Sequence, residues 1–148
     1  MRSIKNPTAI ALTFLWLGFV FAISFLEAWL KFQAPGITLE LGLGIGKLVF
    51  NALNKIEWVL AIIIVLSMLA SRQNPIKGKN LLVVITIVIL LLQSFWLLPE
   101  LFVRANLHIQ EQSVLSSSFA HYTYITLEVT KVVLLSIFGI SLLRKKNN

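Results

Sequence analysis

The sequence predicts an all-α protein, a four-helix transmembrane bundle, from its composition and its hydropathy pattern. The chain of 148 residues is 57% hydrophobic and 13% charged, with a mean hydropathy of +0.86, which is typical of membrane proteins. A helix that crosses a bilayer needs roughly 20 mainly apolar residues. Four stretches meet this requirement, at about 8–31, 42–70, 81–103 and 119–143. We therefore expect a single integral membrane domain that occupies the whole chain.

The positions of the basic residues predict the topology. Basic residues without nearby carboxylates occur before the first helix, between the second and third helices, and after the fourth. These residues are Arg2, Lys5, Arg72, Lys77, Lys79, Arg144, Lys145 and Lys146. An even number of spans puts all three places on one side, and the positive-inside rule makes that side cytoplasmic, with both termini. The net charge of +7 thus reflects topology and contact with the lipid bilayer rather than nucleic-acid binding, and we expect a multi-pass protein of the bacterial inner (plasma) membrane.

The first helix begins after Pro7, a residue suited to a first helical turn. It is too long for a signal-peptide core and has no small-residue cleavage site, so we interpret it as a retained helix. Ser24, Glu27 and Lys31 follow each other at spacings of three and four, which places them on one face near the outer end. The sequence 33–36, Gln-Ala-Pro-Gly, ends the helix.

The second helix carries a polar stripe in its first half. Lys47, Asn51, Asn54 and Glu57 occur at spacings of four, three and three, so they share one helix face. The preceding segment contains glycines at 42, 44 and 46, and we expect it to stand outside the bilayer or to pack closely against a neighbour.

The third helix is aliphatic up to Gln93, which shares a face with Glu100 and Arg104 at spacings of seven and four. We expect this helix to end near Arg104 and the polar stretch 105–118 to lie outside. The serines at 116–118 predict an N-cap for the fourth helix.

The fourth helix has the most regular polar stripe. His121, Tyr124, Glu128 and Lys131 recur at spacings of three, four and three, which again defines one face. All four lie toward the outer end, because the helix runs inward to the basic residues at 144–146. Every predicted helix therefore contributes polar groups to the outer half of the bundle.

Two interpretations of these stripes remain open. In the structural one, Glu27 with Lys31, Glu100 with Arg104 and Glu128 with Lys131 form ion pairs within helices, and the amides tie helices together. In the functional one, the stripes line an outward-facing cavity that binds or passes a small polar or ionic solute. The candidate ligand-binding residues are Glu27, Lys31, Asn51, Asn54, Glu57, Glu100, Arg104, His121, Tyr124, Glu128 and Lys131.

A metal site is a third alternative, with His121, Glu128 and Glu57 as weak candidate ligands. The Glu-x-x-His spacing of di-iron bundles is absent, and we expect no haem, because His108 lies in a loop and His121 has no histidine partner in the helices. The chain has no cysteine, which excludes disulfides and thiolate chemistry.

We do not expect an enzyme. The chain has no aspartate, and it lacks a nucleophile elbow, a phosphate-binding glycine loop and a zincin motif. The alternative role is that of a structural or accessory subunit of a membrane complex. Four helices are few for a solitary transporter, so a homo-oligomer or a membrane-complex partner is expected if transport occurs. Of the tryptophans, we assign Trp29 and Trp96 to the membrane interfaces, and Trp16 and Trp58 to helix packing.

The order of several short motifs resembles the small four-helix membrane proteins similar to transmembrane protein 205, a domain family of unknown function. These motifs are Trp-Leu-Gly at 16–18, Leu-Gly-Leu-Gly-Ile-Gly at 41–46 with Leu-Val-Phe at 48–50, Pro-Glu-Leu-Phe-Val-Arg at 99–104 and Phe-Ala-His-Tyr at 119–122. Glu27, Glu57 and Lys131 have no assigned place in that pattern. The resemblance implies the four-helix architecture and marks Arg104 and His121, and it adds no biochemical activity.

Overall fold

A computed structural model describes residues 6–111 and 119–143 of the chain. In these two segments the protein is all-α, with four helices long and apolar enough to cross a membrane: α1 (Pro7–Gln33), α2 (Leu39–Ala70), α3 (Gly78–Leu107) and α4 (Phe119–Leu143). The predicted fold class of a four-helix bundle is confirmed, and the chain is a multi-pass membrane protein. The N-cap predicted at 116–118, the basic residues at 2, 5 and 144–146, and the side chain of His108 lie outside the described residues.

Side-chain caps begin two of the helices. The Asn6 side chain accepts a hydrogen bond from the backbone N–H of Ala9 at the start of α1, and Thr38 caps α2 through the N–H of Leu41. Asn6 also joins two helices, because its amide nitrogen donates to the carbonyl of Ser67 and its oxygen accepts from the Ser67 hydroxyl, at 3.2 and 2.8 Å. This contact closes the end of the bundle that carries the 71–77 turn, which we call the turn end.

The third helix is longer than predicted. It was expected to end near Arg104, but its helical backbone continues to Glu111. The added residues 105–111 contain neither glycine nor proline, so no residue that breaks a helix stops it there.

Two helices contain π-helical segments that hydropathy does not reveal. In α1 the segment is Phe21–Glu27, where the N–H of Ala28 bonds to the carbonyl of Ile23, and in α3 it is Gln93–Leu97, where Leu98 bonds back to Gln93. Pro99 lies two residues beyond the end of the second segment and has no N–H to donate, which gives a local reason for the altered hydrogen bonding. Segments of this kind occur often at functional sites.

The apolar core fills the turn half of the bundle. Its buried members come from all four helices and include Trp16, Ile64, Leu90 and Phe138. A smaller apolar cluster lies nearer the opposite end, around Leu97, Leu98, Ala120 and Tyr124. Large apolar side chains also cover the outer surface of every helix, as contact with lipid requires.

Candidate functional site

A buried group of polar side chains lies between the two apolar clusters. We call it the ion cluster, and its members are Trp16, Glu57, Gln93, Glu128 and Lys131. The Lys131 ammonium donates to Glu57 Oε1 at 2.5 Å and to Gln93 Oε1 at 2.7 Å, and its Nζ lies 2.9 Å from Glu128 Oε1. Trp16 Nε1 donates to Glu57 Oε1, and Gln93 Nε2 donates to Glu128 Oε1, each at 2.8 Å. The ammonium therefore has an acceptor for each of its three protons.

The ion cluster is dehydrated and carries more carboxylates than ammonium groups. Glu57, Gln93 and Glu128 are each 1% exposed, and Lys131 is 0% exposed. Two ionised glutamates against one lysine leave a net negative charge, and burying an unpaired charge is costly unless a proton or another cation neutralises it. The site therefore needs one further positive charge when both glutamates are ionised.

The ion cluster joins all four helices. Trp16 belongs to α1, Glu57 to α2, Gln93 to α3, and Glu128 and Lys131 to α4. Each helix contributes at least one hydrogen-bonding side chain, and these contacts restrict how the helices can slide or rotate. The arrangement thus serves the helix-tying role of the structural interpretation.

A cavity of about 740 Å³ lies between the ion cluster and the end of the bundle opposite the turn end, which we call the cavity end. All four helices contribute to its wall, which is mostly apolar and rich in aromatic side chains. Its aromatic lining residues are Phe25, Trp29, Phe32, Phe50, Phe102 and Tyr124, and its ionisable or hydroxyl-bearing ones, apart from Tyr124, are Ser24, Lys31, Lys47, Arg104, His121 and Glu128.

Glu128 connects the cavity with the ion cluster. It lines the cavity while its Oε1 binds Gln93 and Lys131. Arg104 lies eleven residues beyond Gln93 on α3, which corresponds to roughly 16 Å along the helix axis. The cavity thus extends from a buried carboxylate to a partly exposed ion pair between Arg104 and Glu100.

Buried polar atoms without partners gather around this cavity. In the described segments three buried side-chain atoms have no hydrogen-bond partner: Ser24 Oγ, Glu27 Oε1 and Glu128 Oε2. Ser24 and Glu128 line the cavity, and Glu27 is paired through its other oxygen with the lining residue Lys31. Since buried polar groups in proteins are almost always satisfied, these atoms mark where an occupant or water completes the hydrogen bonding.

The three ion pairs predicted within helices are present. Lys31 Nζ lies 3.1 Å from Glu27 Oε2, Arg104 Nε lies 2.8 Å from Glu100 Oε1, and Lys131 Nζ lies 2.9 Å from Glu128 Oε1.

The Lys31 ammonium lies over two aromatic rings, at 5.5 Å from the Phe32 centroid and 5.6 Å from the Phe50 centroid, a favourable cation–π geometry. The Phe50 ring in turn meets Tyr124 edge to face at 5.6 Å.

The polar stripe predicted on α2 is divided. Glu57 joins the ion cluster, whereas Asn54 donates to the Ser94 hydroxyl on α3 at 2.7 Å. Asn51 is exposed on the outside of the bundle, and Lys47 binds Asn106 at 3.0 Å while it lines the cavity.

Glu57 lies opposite Glu128 but not opposite His121, although a shared site of the three residues would need both. The two carboxylates share the Lys131 ammonium, while His121 lies about two helical turns away from Glu128 in the cavity wall.

Sequence reasoning missed two members of the ion cluster. Trp16 was assigned to packing alone, yet its indole N–H also donates to Glu57. A tryptophan deep in an apolar helix could have revealed this contact, because its buried N–H donor needs an acceptor. Gln93 was placed on a face with Glu100 and Arg104 and left out of the candidates, although it bridges Glu128 and Lys131.

The candidate metal ligands are not gathered into one group. No set of three or more His, Cys, Asp or Glu residues that could hold a metal ion occurs within 6–111 and 119–143. His121, Glu128 and Glu57 accordingly do not form a shared coordination site here, and Lys131 occupies the position between the two glutamates.

Comparison with known proteins found no matching family model, no matching curated protein and no matching solved structure. The resemblance to proteins similar to transmembrane protein 205 stays a prediction.

Proposed function

We propose that this protein binds a small polar or ionic solute in the cavity, with Glu128 as the group that the solute reaches at the inner end. The cavity end then faces the outside of a bacterial inner membrane, as the distribution of basic residues predicts. The observation that carries the proposal is the set of unpaired buried atoms, Ser24 Oγ, Glu27 Oε1 and Glu128 Oε2, around one cavity.

The two carboxylate oxygens of Glu128 have different contacts, and this difference supports the proposal. Its Oε1 accepts from Gln93 and lies against Lys131, which is sufficient to tie α3 to α4. Its Oε2 takes no part in that network. A purely structural carboxylate would gain from having both oxygens satisfied, since an unmet buried acceptor costs about 1–3 kcal/mol. The Tyr124 hydroxyl, on the same helix, also interacts with Glu128, but no hydrogen bond reaches Oε2, and a structural role alone does not explain this oxygen.

A thermal-shift screen on the detergent-solubilised protein tests the proposal. The probes are sodium, potassium, ammonium, primary alkylamines, guanidinium, acetate, benzoate and phosphate. We expect at least one of them to raise the melting temperature, because a ligand at 100 times its dissociation constant adds about 2.7 kcal/mol to the unfolding free energy. The shift should change in Glu128→Gln, which keeps the shape of the side chain and an acceptor oxygen for Gln93 and Lys131.

Glu40→Gln is the matched control, because Glu40 is exposed in the first turn of α2 and is not part of the cavity lining. It should respond to every probe as the unaltered protein does. If no probe shifts the melting temperature, or if the shift is the same in Glu128→Gln, the proposal is wrong.

A second candidate function is that of a subunit in a membrane complex, and an exposed lysine on α2 favours it. Lys55 lies near the middle of α2, on an exposed stripe with Leu48, Ala52 and Val59. Counted from Ala70, Lys55 lies roughly 22 Å from the turn end, at the level of the ion cluster. A lysine at that depth is costly in lipid, and a partner helix could cover it.

The absence of cysteine makes this surface easy to probe, since an introduced cysteine is unique in the chain. In membranes, Ala52→Cys should form oxidative crosslinks that raise the apparent mass of the protein. Phe95→Cys, at a lipid-exposed position of α3, is the control and should remain uncrosslinked. Equal crosslinking at both positions would show chance collision instead of a partner at this stripe.

A further inference from the structure

We infer that the solute is a small organic cation whose ammonium group binds at Glu128 Oε2. This inference rests on the proposed function and specifies the chemical class of its ligand. Three features of the site carry it: the charge of the ion cluster, the kind of atom that lacks a partner, and the nature of the cavity wall.

The charge of the ion cluster requires a positive partner. Lys131 neutralises only one of the carboxylates of Glu57 and Glu128, and all three side chains are fully buried. A second unit of positive charge must therefore accompany the site when both carboxylates are ionised. A bound cation supplies it when the site is occupied.

The unpaired atoms specify the hydrogen-bonding character of the occupant. Two of the three are carboxylate oxygens, Glu27 Oε1 and Glu128 Oε2, and an ionised carboxylate only accepts hydrogen bonds. The occupant must therefore donate. An ammonium group offers up to three N–H donors, and its hydrogen bond to a carboxylate is charge-assisted.

The wall of the cavity specifies the rest of the ligand. Aromatic rings line much of it, and aromatic faces attract cations while their apolar surface suits a hydrocarbon body. The molecule already shows this preference, because the Lys31 ammonium lies over the rings of Phe32 and Phe50. A bare metal ion is less well suited, since the described residues hold no set of three candidate metal ligands.

Other charged groups border the site on all four helices, and some of them neutralise each other as ion pairs. Glu27 neutralises Lys31 on α1, and Glu100 neutralises Arg104 on α3. The cavity wall also includes Lys47 on α2, and His121 and Tyr124 on α4. A cation that reaches Glu128 therefore passes Lys47, which has no ion-pair partner among the side chains that the structure describes and whose ammonium is bound to Asn106 and lies over the Phe102 ring.

The test uses benzylammonium, benzyl alcohol and benzoate, three molecules with one ring and with head groups of charge +1, 0 and −1. Each is titrated into the full-length protein in detergent, and isothermal titration calorimetry follows binding. We expect benzylammonium to bind at least about tenfold more tightly than the other two molecules. In Glu128→Gln its affinity should fall at least about tenfold, while Glu40→Gln behaves like the unaltered protein.

The outcomes separate this inference from the proposed function. Binding of benzoate or benzyl alcohol without binding of benzylammonium leaves a solute cavity but overturns the cationic class. Equal affinity for all three molecules overturns it as well. If none of the three binds, the inference is wrong, and the broader probe screen then decides the proposed function on its own. The comparison of the three molecules on the unaltered protein remains decisive even if Glu128→Gln fails to fold.

Discussion

The Lys131 ammonium has three acceptors from three helices and no exposure to solvent. Its removal leaves Glu57 and Glu128 facing each other without a counterion, which is more costly than the loss of a surface ion pair. The stability of the bundle therefore depends on this side chain more than on the pairs at the cavity end.

We predict that Lys131→Met lowers the unfolding free energy by about 3–5 kcal/mol, because an uncompensated buried charge remains. Chemical unfolding of the detergent-solubilised protein, followed by circular dichroism, measures the change. Lys77→Met is the control, since Lys77 is exposed in the turn between α2 and α3, and it should alter the stability by less than about 0.5 kcal/mol. Similar losses in both variants would contradict the role assigned to the ion cluster.

Trp16→Phe removes the indole donor to Glu57 Oε1 but keeps an aromatic side chain in the core. We expect a loss of about 1.5–3 kcal/mol, the range for hydrogen bonds to charged groups, in the same unfolding assay. Trp96→Phe provides the comparison, because Trp96 is 54% exposed and should tolerate the change. An unchanged Trp16→Phe protein would show that the bond to Glu57 contributes little.

The start of α2 allows α1 to approach it closely. A methyl group added at Gly42 would overlap the ring of Phe32, and one added at Gly46 would lie 3.0 Å from Lys31 Nζ. Gly44, on another face of the same helix, has nothing within 4 Å of such a methyl group. The glycines that the sequence groups together therefore have different roles: Gly42 makes room for the Phe32 ring and Gly46 for the Lys31 side chain, whereas Gly44 has no such neighbour.

Two alanine substitutions separate these roles, with opposite expected signs. Gly42→Ala should destabilise the protein by about 1–3 kcal/mol, because the Phe32 ring must move from its place beside the Lys31 ammonium. Gly44→Ala should be neutral or stabilising by up to about 1 kcal/mol, because alanine favours the helix and meets no neighbour. Melting temperatures of the two variants decide the point, and a loss of stability in Gly44→Ala would contradict it.

The whole molecule has two unlike halves. The turn half is filled by apolar side chains from four helices, whereas the wall of the cavity half includes the charged side chains of Lys31, Lys47, Arg104 and Glu128. The ion cluster lies where the halves meet. The distribution of basic residues predicts that the turn end faces the cytoplasm.

A pair of reporter fusions tests this orientation. Green fluorescent protein fused after Asn148 should fluoresce, and alkaline phosphatase fused after Gly36 in the α1–α2 turn should be active, because the first lies in the cytoplasm and the second outside. The exchanged fusions, phosphatase after Asn148 and fluorescent protein after Gly36, should give no signal. The reverse pattern of signals would place the cavity end in the cytoplasm.

Hydropathy and helical spacing predict the number of helices and the ion pairs within them, because both depend on residues close together in the sequence. Lys31 and Arg104 therefore have the partners expected. The contacts of Trp16 and Gln93 depend on how the helices are rotated against each other, and spacing within one helix carries no such information. The π-helical segments at 21–27 and 93–97 each shift the helical register, so an ideal period cannot place the side chains beyond them.

The Asn6–Ser67 contact at the turn end bears on how a solute could leave the protein. It holds the first turn of α1 against the last turn of α2, and beyond it Trp16, Ile64 and Phe138 are 0% exposed. In this conformation the bundle is closed at the turn end, so a solute that binds in the cavity as proposed would return by the way it entered. Release to the other side would require the contacts that close the turn end, among them these two hydrogen bonds, to open.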